Sequence, residues 1–549
     1  MTERKIAPYG SWKSPVTADM IARHSIKFGS VVLDGSKTYW IEMRPGEAGR
    51  NVIVQRDAQG TVKDVIPKPY NARTTVHEYG GGAFTVLNNI VYFVNYSDQR
   101  LYCQAIGKEP EPITIAAEMR YADMVIDSSR NRLICIREDH TGEGKASNTI
   151  VSIGLESETT GTVLLLGNDF YASPRLSPDS DRLAWITWNH PNMPWDGTEL
   201  WVADVHPDGT LHTVRQIAGG PDESIFQPTW SPSGDLYYVS DRSGWWNLYR
   251  LRDGKREHLY DMEAEFGMPQ WVFGMSTYAF LSSNQIICAY NQLGVWRLAT
   301  LDPDKRLLNE IAQPYDAIFG LWGNSTKAVF VGAAPNEPRS LIEMRGLSFE
   351  IEVVRRSSEK IEDEGYLSYP QTIEYPTSGD RTAFAYYYAP SNRDYEPPSG
   401  VLPPLLVMSH GGPTGATSTA LSLGIQFWTS RGFAVLDVNY GGSTGYGREY
   451  RESLNGQWGI VDVDDCVNAA RYLVERKLVD GKRMAIKGGS AGGYTTLAAL
   501  AFRDFFQAGA SYFGVSDIEL LAKETHKFES RYMDKIVGSY PEEIELLRE

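Results

Sequence analysis

A short phrase recurs through residues 31–344, and no other feature restricts the fold as strongly. A turn built from Asp, Ser, Gly or Asn leads into an alternating apolar strand, and a second strand follows. The two clearest copies are YASPRLSPDSDRLAWITW with TELWVAD, beginning at residue 171, and SIFQPTWSPSGDLYYVSDRSGWWNLYRL at 224–251. Both carry a Ser-Pro turn, Ser177-Pro178-Asp179 and Ser231-Pro232-Ser233. Proline pre-sets the turn's φ angle and Asp, Ser or Gly completes it. The residues that follow alternate with the period of two that a half-buried strand requires.

Weaker copies begin at 31, 83, 121, 278 and 317, giving seven in all. Their spacing of roughly 40–55 residues is the length of a four-stranded propeller blade. The absence of a long linker between copies favours one closed ring, with a repeated β-sandwich array as the structural alternative. Such a ring serves as a filter or binding platform, or as a scaffold without a site of its own. The aromatic tips Trp245-Trp246, Trp188 and Trp195 are expected to pack blades rather than hold ligand.

Past residue 365 the pattern changes. LLVM at 405–408, FAVLDV at 433–438, MAIK at 484–487 and AGASYF at 508–513 are short apolar strands. Residues 462–477 have helical spacing with carboxylates in the first turn, and 491–502 read as a second helix. Strands alternating with helices predict a parallel sheet covered on both faces. The predicted organisation is an N-terminal segment (1–30), a seven-bladed β-propeller (31–350) and an α/β-hydrolase domain (351–549).

Between the third of these strands and the second helix stands Gly488-Gly489-Ser490-Ala491-Gly492. A serine at so tight a turn needs neighbours without side chains at −2 and +2, and the helix behind it directs N–H groups at a reacting carbonyl. Ser490 is therefore the expected nucleophile. A phosphate-binding loop is the alternative, but no Gly-Lys-Ser/Thr follows.

With APYGSWKSP near the start, VHEYGGGAF at 76–84, HGGP at 410–413, NYGGSTGYG at 439–447 and GGSAGGY at 488–494, the chain resembles the prolyl oligopeptidase family of serine peptidases. The nearest resemblance is to its dipeptidyl-aminopeptidase and acylaminoacyl-peptidase-like members. The resemblance implies hydrolysis of short peptides through an acyl-enzyme on Ser490. It also implies an oxyanion site made by the Tyr446 hydroxyl and the Ala491 backbone N–H, and a structural role for His410. Phe528 resembles a pocket-wall residue. Glu78, Glu223 and Glu265 are candidates for holding a substrate's N-terminus.

A serine nucleophile needs a base and an orienting carboxylate. After Ser490 come one histidine, His526, and the aspartates Asp504, Asp517 and Asp534. His526 lies in a helix-like stretch, so Ser490–Asp517–His526 is a poor triad. The resemblance places the catalytic Asp and His beyond Glu549, on loops after two further strands, units that need about 60–100 more residues. The expectation is an incomplete hydrolase domain with impaired activity. A non-catalytic peptide-binding pseudoenzyme and a small ester or amide hydrolase remain as alternatives.

With 53 Lys and Arg against 69 Asp and Glu, the net charge is −16. That balance argues against nucleic acid and anionic membranes as partners. Cys103, Cys135, Cys288 and Cys466 are scattered and form no C-x-x-C pair, so neither a disulfide framework nor a metal site is expected, and no cofactor is implied. The first 15 residues lack an apolar signal core, and no uncharged apolar run reaches about 18 residues. A soluble cytoplasmic protein is the expectation.

Overall fold

The computed structural model describes residues 4–22, 25–156 and 158–545. Seven four-stranded antiparallel sheets occupy residues 27–64, 84–112, 119–165, 170–219, 225–258, 278–311 and 317–356. Within each sheet the strands are neighbours in chain order, so every blade is one continuous stretch of sequence. The Ser-Pro turns are built as their composition requires. Ser177 Oγ accepts from Arg182 N at 2.9 Å, and Ser231 Oγ from Asp235 N at 3.1 Å. In six blades the first strand shifts register against the second, at Phe28/Val31, Ala122/Val125, Ala172/Arg175, Phe226/Thr229, Phe280/Ser282 and Ile318/Leu321. Such bulges add the local twist a strand needs to fan out from an axis.

The ring closes without strand exchange. Val329, Val331 and Leu341 of the last blade share one core with Val31, Tyr39 and Trp40 of the first. Arg56 pairs with Glu343 (3.1 Å) and Glu352 (2.6 Å), and Arg355 with Glu42 (3.0 Å), across the same seam.

The second domain holds a six-stranded sheet: β1 (Gln371–Pro376), β2 (Thr382–Tyr388), β3 (Leu405–Ser409), β4 (Ala434–Asn439), β5 (Met484–Gly489) and β6 (Ala508–Tyr512). The order is β1-β2-β4-β3-β5-β6. β3, β4, β5 and β6 run parallel, whereas β1 and β2 are antiparallel. The sheet is thus mixed rather than purely parallel as expected from the sequence, because β1 and β2 form a hairpin around the Ser378–Asp380 turn. Nor is it covered throughout. Every residue of β6 is exposed, and Phe513 beside it is 88% exposed.

The helices are α1 (Ala18–Ala22), α2 (Leu423–Thr429), α3 (Gly447–Glu452), α4 (Val461–Glu475), α5 (Ala491–Phe502), α6 (Ile518–Glu524) and α7 (Tyr532–Ile536). In the first turn of α4, Asp462 accepts from Gly459 N (2.6 Å) and from Thr495 Oγ1 of α5 (2.5 Å), fixing the two helices together. The N-terminal segment belongs spatially to this domain. Lys5–Ile6 pair in parallel with Tyr395–Glu396, and Ser14 bonds Ser430 at 2.7 Å. No helix among the described residues is long and apolar enough to cross a membrane.

Propeller and hydrolase meet through buried charge. Asp241, fully buried, pairs with Arg448 (2.7 Å) and Arg451 (2.6 Å), and the Arg451 guanidinium lies 4.2 Å from the centre of the Trp246 ring. Removing one partner of such a cluster leaves uncompensated charge in low dielectric. Asp241→Ala should lower the free energy of unfolding by about 3–5 kcal/mol, read from denaturant titration of the full chain. A loss below about 1 kcal/mol, the worth of a surface pair, would mean the pair is solvated.

Candidate active site

Ser490 sits between β5 and α5 with φ 54° and ψ −121°, a conformation that non-glycine residues rarely adopt. A Cβ added at Gly488 would lie 2.2 Å from the Gly492 carbonyl oxygen, and one at Gly492 would lie 2.2 Å from that of Ser409. Both positions exclude side chains, so the strained serine is held by its neighbours. Ser409 Oγ donates to the Gly492 carbonyl at 2.8 Å, tying the end of β3 to the turn. Ser490 is exposed, and Ala491 opens α5, where backbone N–H groups lack partners within the helix.

A cavity of about 320 Å³ adjoins the serine. Its walls include Tyr79, Trp271, Trp458, Tyr532 and Met533, with Gly412-Pro413 beside Ser490 and Ala491. Among the described residues Glu529 is the one charged residue lining it, and it accepts a hydrogen bond from Tyr79 Oη at 2.6 Å. Burial and Glu529 together hold the Tyr79 phenol well above its ordinary pKa, so it stays protonated and donating.

Tyr79 reaches the cavity from an arch in the propeller. His77, Glu78, Gly80, Gly81 and Gly82 all have positive φ. Added Cβ atoms at Gly80 and Gly81 would fall 2.1 Å from Thr74 O and 2.4 Å from Phe273 O. The glycine run in VHEYGGGAF is thus a steric requirement. Trp271 is anchored by its indole N–H, which donates to Thr414 O at 2.7 Å, and Tyr532 Oη accepts from Thr414 N at 3.0 Å.

The other residues singled out in the sequence fall elsewhere. Tyr446 does not line this cavity. Its ring stacks on Phe384 with centroids 4.3 Å apart, and its hydroxyl accepts from Asn439 Nδ2 at 2.9 Å. A Cβ on Gly294 of the propeller would lie 2.8 Å from that hydroxyl, so the phenol end is enclosed at the domain contact. The loop that does approach the serine is Gly411-Gly412. A Cβ on Gly411 would stand 3.4 Å from Ser490 Cβ.

Phe528 is buried behind the wall, against His77, Trp188, Trp271 and Tyr79. Within FESRYMD it is Glu529, Tyr532 and Met533 that face the cavity. Trp195 backs the wall too, 4.4 Å from Trp271. Trp245 packs on Gly447, where an added Cβ would meet it at 3.2 Å.

His410 contacts Ser443 Oγ (2.7 Å) and the Gly411 carbonyl (2.9 Å) and stacks on Tyr440. Burial lowers its pKa to about 4, so it is neutral. His526 lies 3.6 Å from Glu529 and against Tyr79. Among the described residues no histidine hydrogen-bonds the Ser490 hydroxyl. Asp517 caps α6 by accepting from Leu520 N (2.9 Å), and Asp534 pairs with Arg531 (2.5 Å). Asp504 lies between α5 and β6. No group of three or more His, Cys, Asp or Glu among the described residues could hold a metal, and the four cysteines are free thiols.

Of the three glutamates, Glu78 is exposed next to Tyr79, and Glu223 accepts from Ser240 Oγ at 2.6 Å. Glu265 is fully buried at the domain contact and accepts from Trp246 N (2.8 Å) and Gly447 N (3.1 Å). It is a structural clamp rather than a ligand for substrate.

A profile of the prolyl oligopeptidase family (Peptidase_S9) matches residues 419–546. The structure of a Mycobacterium tuberculosis puromycin-hydrolyzing peptidase superposes with TM-score 0.94 at 39% identity, covering 99% of this chain and 86% of that one. A crystal structure of puromycin hydrolase gives TM-score 0.93 at 36% identity with the same coverage. Dipeptidyl aminopeptidase BIII of Pseudoxanthomonas mexicana is 31% identical over 169 residues, which is 30% of this chain and only 24% of that protein. The chain belongs to the prolyl oligopeptidase family, with a seven-bladed propeller ahead of an α/β-hydrolase domain.

Burial pushes the Glu265 carboxyl up to about 7, against the opposing pull of Arg451. Between pH 4.5 and 7 the folded protein therefore holds a proton there that the unfolded chain has released, and stability falls as pH rises through that window. Glu265→Gln removes this titration. The stability advantage of wild type over the variant should shrink by up to about 3 kcal/mol between pH 4.5 and 8, measured by parallel denaturation. A difference that stays constant with pH would show that Glu265 does not titrate there.

Proposed function

We propose that the chain acts as a serine hydrolase of short peptides and aminoacyl amides, taking the substrate by its free amino end and acylating Ser490. The observation that carries this reading is the composition of the Ser490 cavity, in which the aromatic side chains of Tyr79, Trp271, Trp458 and Tyr532 and the aliphatic Val515, Leu521 and Met533 stand around a carboxylate, Glu529. An ammonium group pairs with that carboxylate while an aromatic or aliphatic side chain fills the space between Trp271, Trp458 and Tyr532. Puromycin, named for two similar structures, is an amide of an aromatic amino acid with a free amine, which fits this chemistry. A puromycin hydrolase has also been solved in complex with PGG.

Attack by Ser490 Oγ on the substrate carbonyl puts negative charge on its oxygen. The Ala491 N–H at the start of α5 is one donor to it. The Gly411-Gly412 loop, closest to the serine on the other side, supplies the second in place of Tyr446. Each such donor is worth about 3–4 kcal/mol of barrier. Glu529 and the aromatic walls hold the amino end. Collapse of the tetrahedral adduct breaks the C–N bond, forms the Ser490 ester and releases the amine with the proton that the serine gave up, and water then hydrolyses the ester. The base and its carboxylate are not assigned to any described residue.

The test uses activated donors, so that acylation is seen without waiting for turnover. Phenylalanine p-nitrophenyl ester should leave one acyl group on the chain by intact mass, located at Ser490 and lost in Ser490→Ala. A bound ligand with no adduct would favour a peptide-binding protein. Equal reaction with p-nitrophenyl butyrate, which lacks the amine, would favour a general esterase. Glu529→Gln should raise the half-saturating concentration of the phenylalanine ester by about tenfold or more, as loss of a charged hydrogen bond predicts, and leave the butyrate unchanged.

A further inference from the structure

A second cavity, of about 1000 Å³, lies between the propeller and the hydrolase domain. Met20 of α1, Phe28 of the first blade, Phe319, Trp322 and Arg339 of the last, and Leu423 of α2 are among its walls. Tyr79 lines both this cavity and the Ser490 pocket, so the two are neighbours across one side chain.

Its charge is unusual for this chain. The net charge is −16, yet among the described residues no aspartate or glutamate lines it, while Lys27 and Arg339 do. The Arg339 guanidinium lies 3.7 Å from the centre of the Phe319 ring. Among the described residues it has no hydrogen-bond or ion-pair partner. It faces the open cavity, yet enough protein surrounds it that desolvation lowers its pKa with no carboxylate acting in return. Other arginines at protein–protein seams of this molecule are paired: Arg56, Arg355, Arg448 and Arg451 each meet a carboxylate. The planar fork, stacked on an aromatic ring and open on its other side, is the arrangement that receives a carboxylate with two parallel hydrogen bonds.

We propose that Arg339 binds the C-terminal carboxylate of a short peptide whose amino end occupies the Ser490 pocket. The inference rests on the amino-end reading given above. It adds that selection for short peptides comes from charge at both ends: Glu529 meets the ammonium and Arg339 meets the carboxylate. The propeller thereby contributes a specificity residue from its last blade. Peptides whose C-terminus is blocked lose the second contact, and those too short or too long cannot make both.

The experiment measures binding to the full chain carrying Ser490→Ala, so that no substrate is consumed. Calorimetric titrations compare Phe-Gly, Phe-Gly-Gly and Phe-Gly-Gly-Gly with their C-terminal amides. At one or more of these lengths the free carboxylate should bind about tenfold or more tightly than the amide. Arg339→Gln should abolish that preference while leaving affinity for the amides unchanged, which also shows that the variant is folded. Arg339→Lys, retaining the charge without the fork, should keep part of the preference. Equal binding of acid and amide at every length would overturn the proposal. So would a preference that survives Arg339→Gln. If the preference depends on Arg339 but Glu529→Gln leaves amide binding unchanged, the carboxylate site stands and the amino-end reading falls.

Discussion

The buried contact of Asp241 with Arg448 and Arg451 sets the geometry on which both cavities depend. The arginines lie on α3, directly after the loop 439–447, and the aspartate lies on the propeller. Glu265 receives the Gly447 N–H beside them, and Tyr386 Oη donates to Gly294 O at 2.7 Å nearby. Charge that is desolvated and paired tolerates little displacement, because separating the partners without readmitting water leaves each one stranded. The two domains are thereby held at a fixed spacing, and the space left between them becomes the Ser490 pocket and its larger neighbour.

Backbone strain is concentrated where those cavities meet. Ser490 has a positive φ, and so do His77 and Glu78 in the arch that carries Tyr79. Glycines with no room for a Cβ flank both sites: Gly488 and Gly492 around the serine, Gly80 and Gly81 after the tyrosine. Strain of this kind persists only where the surroundings over-determine it. Here the surroundings are opposite walls of one cavity, one from each domain. Ser490 and the side chain that divides the two cavities are positioned by the same device.

Much of this was legible in the sequence, because its signals are local. Alternation with a period of two and Ser-Pro turns specify blades, whichever blade lies next. The tight turn at Ser490 demands glycine at fixed offsets, and α5 spans the predicted 491–502. The mixed character of the sheet was less legible, since a hairpin and a parallel strand share the same alternation until pairing partners are known. Within FESRYMD the sequence points to Phe528, which packs in the aromatic cluster, while Glu529 lines the Ser490 cavity. One step along a short 3₁₀ turn changes which face a side chain presents, and motif matching does not resolve that step. The surroundings of Tyr446 are hidden in the sequence for a related reason. The loop 439–447 is long enough to carry its tyrosine to either domain, and stacking on Phe384 decided in favour of the domain contact.

The sequence by itself determined the two architectures and the glycine-flanked turn at Ser490, since each follows from neighbours along the chain and from steric limits of the backbone. Only the tertiary structure decided what surrounds Ser490. Tyr79, Trp271 and Glu529 come from widely separated positions in the chain, and they converge because buried charge and packed aromatics fix one domain against the other. No pattern along the chain records which residues two separately folded surfaces will bring face to face.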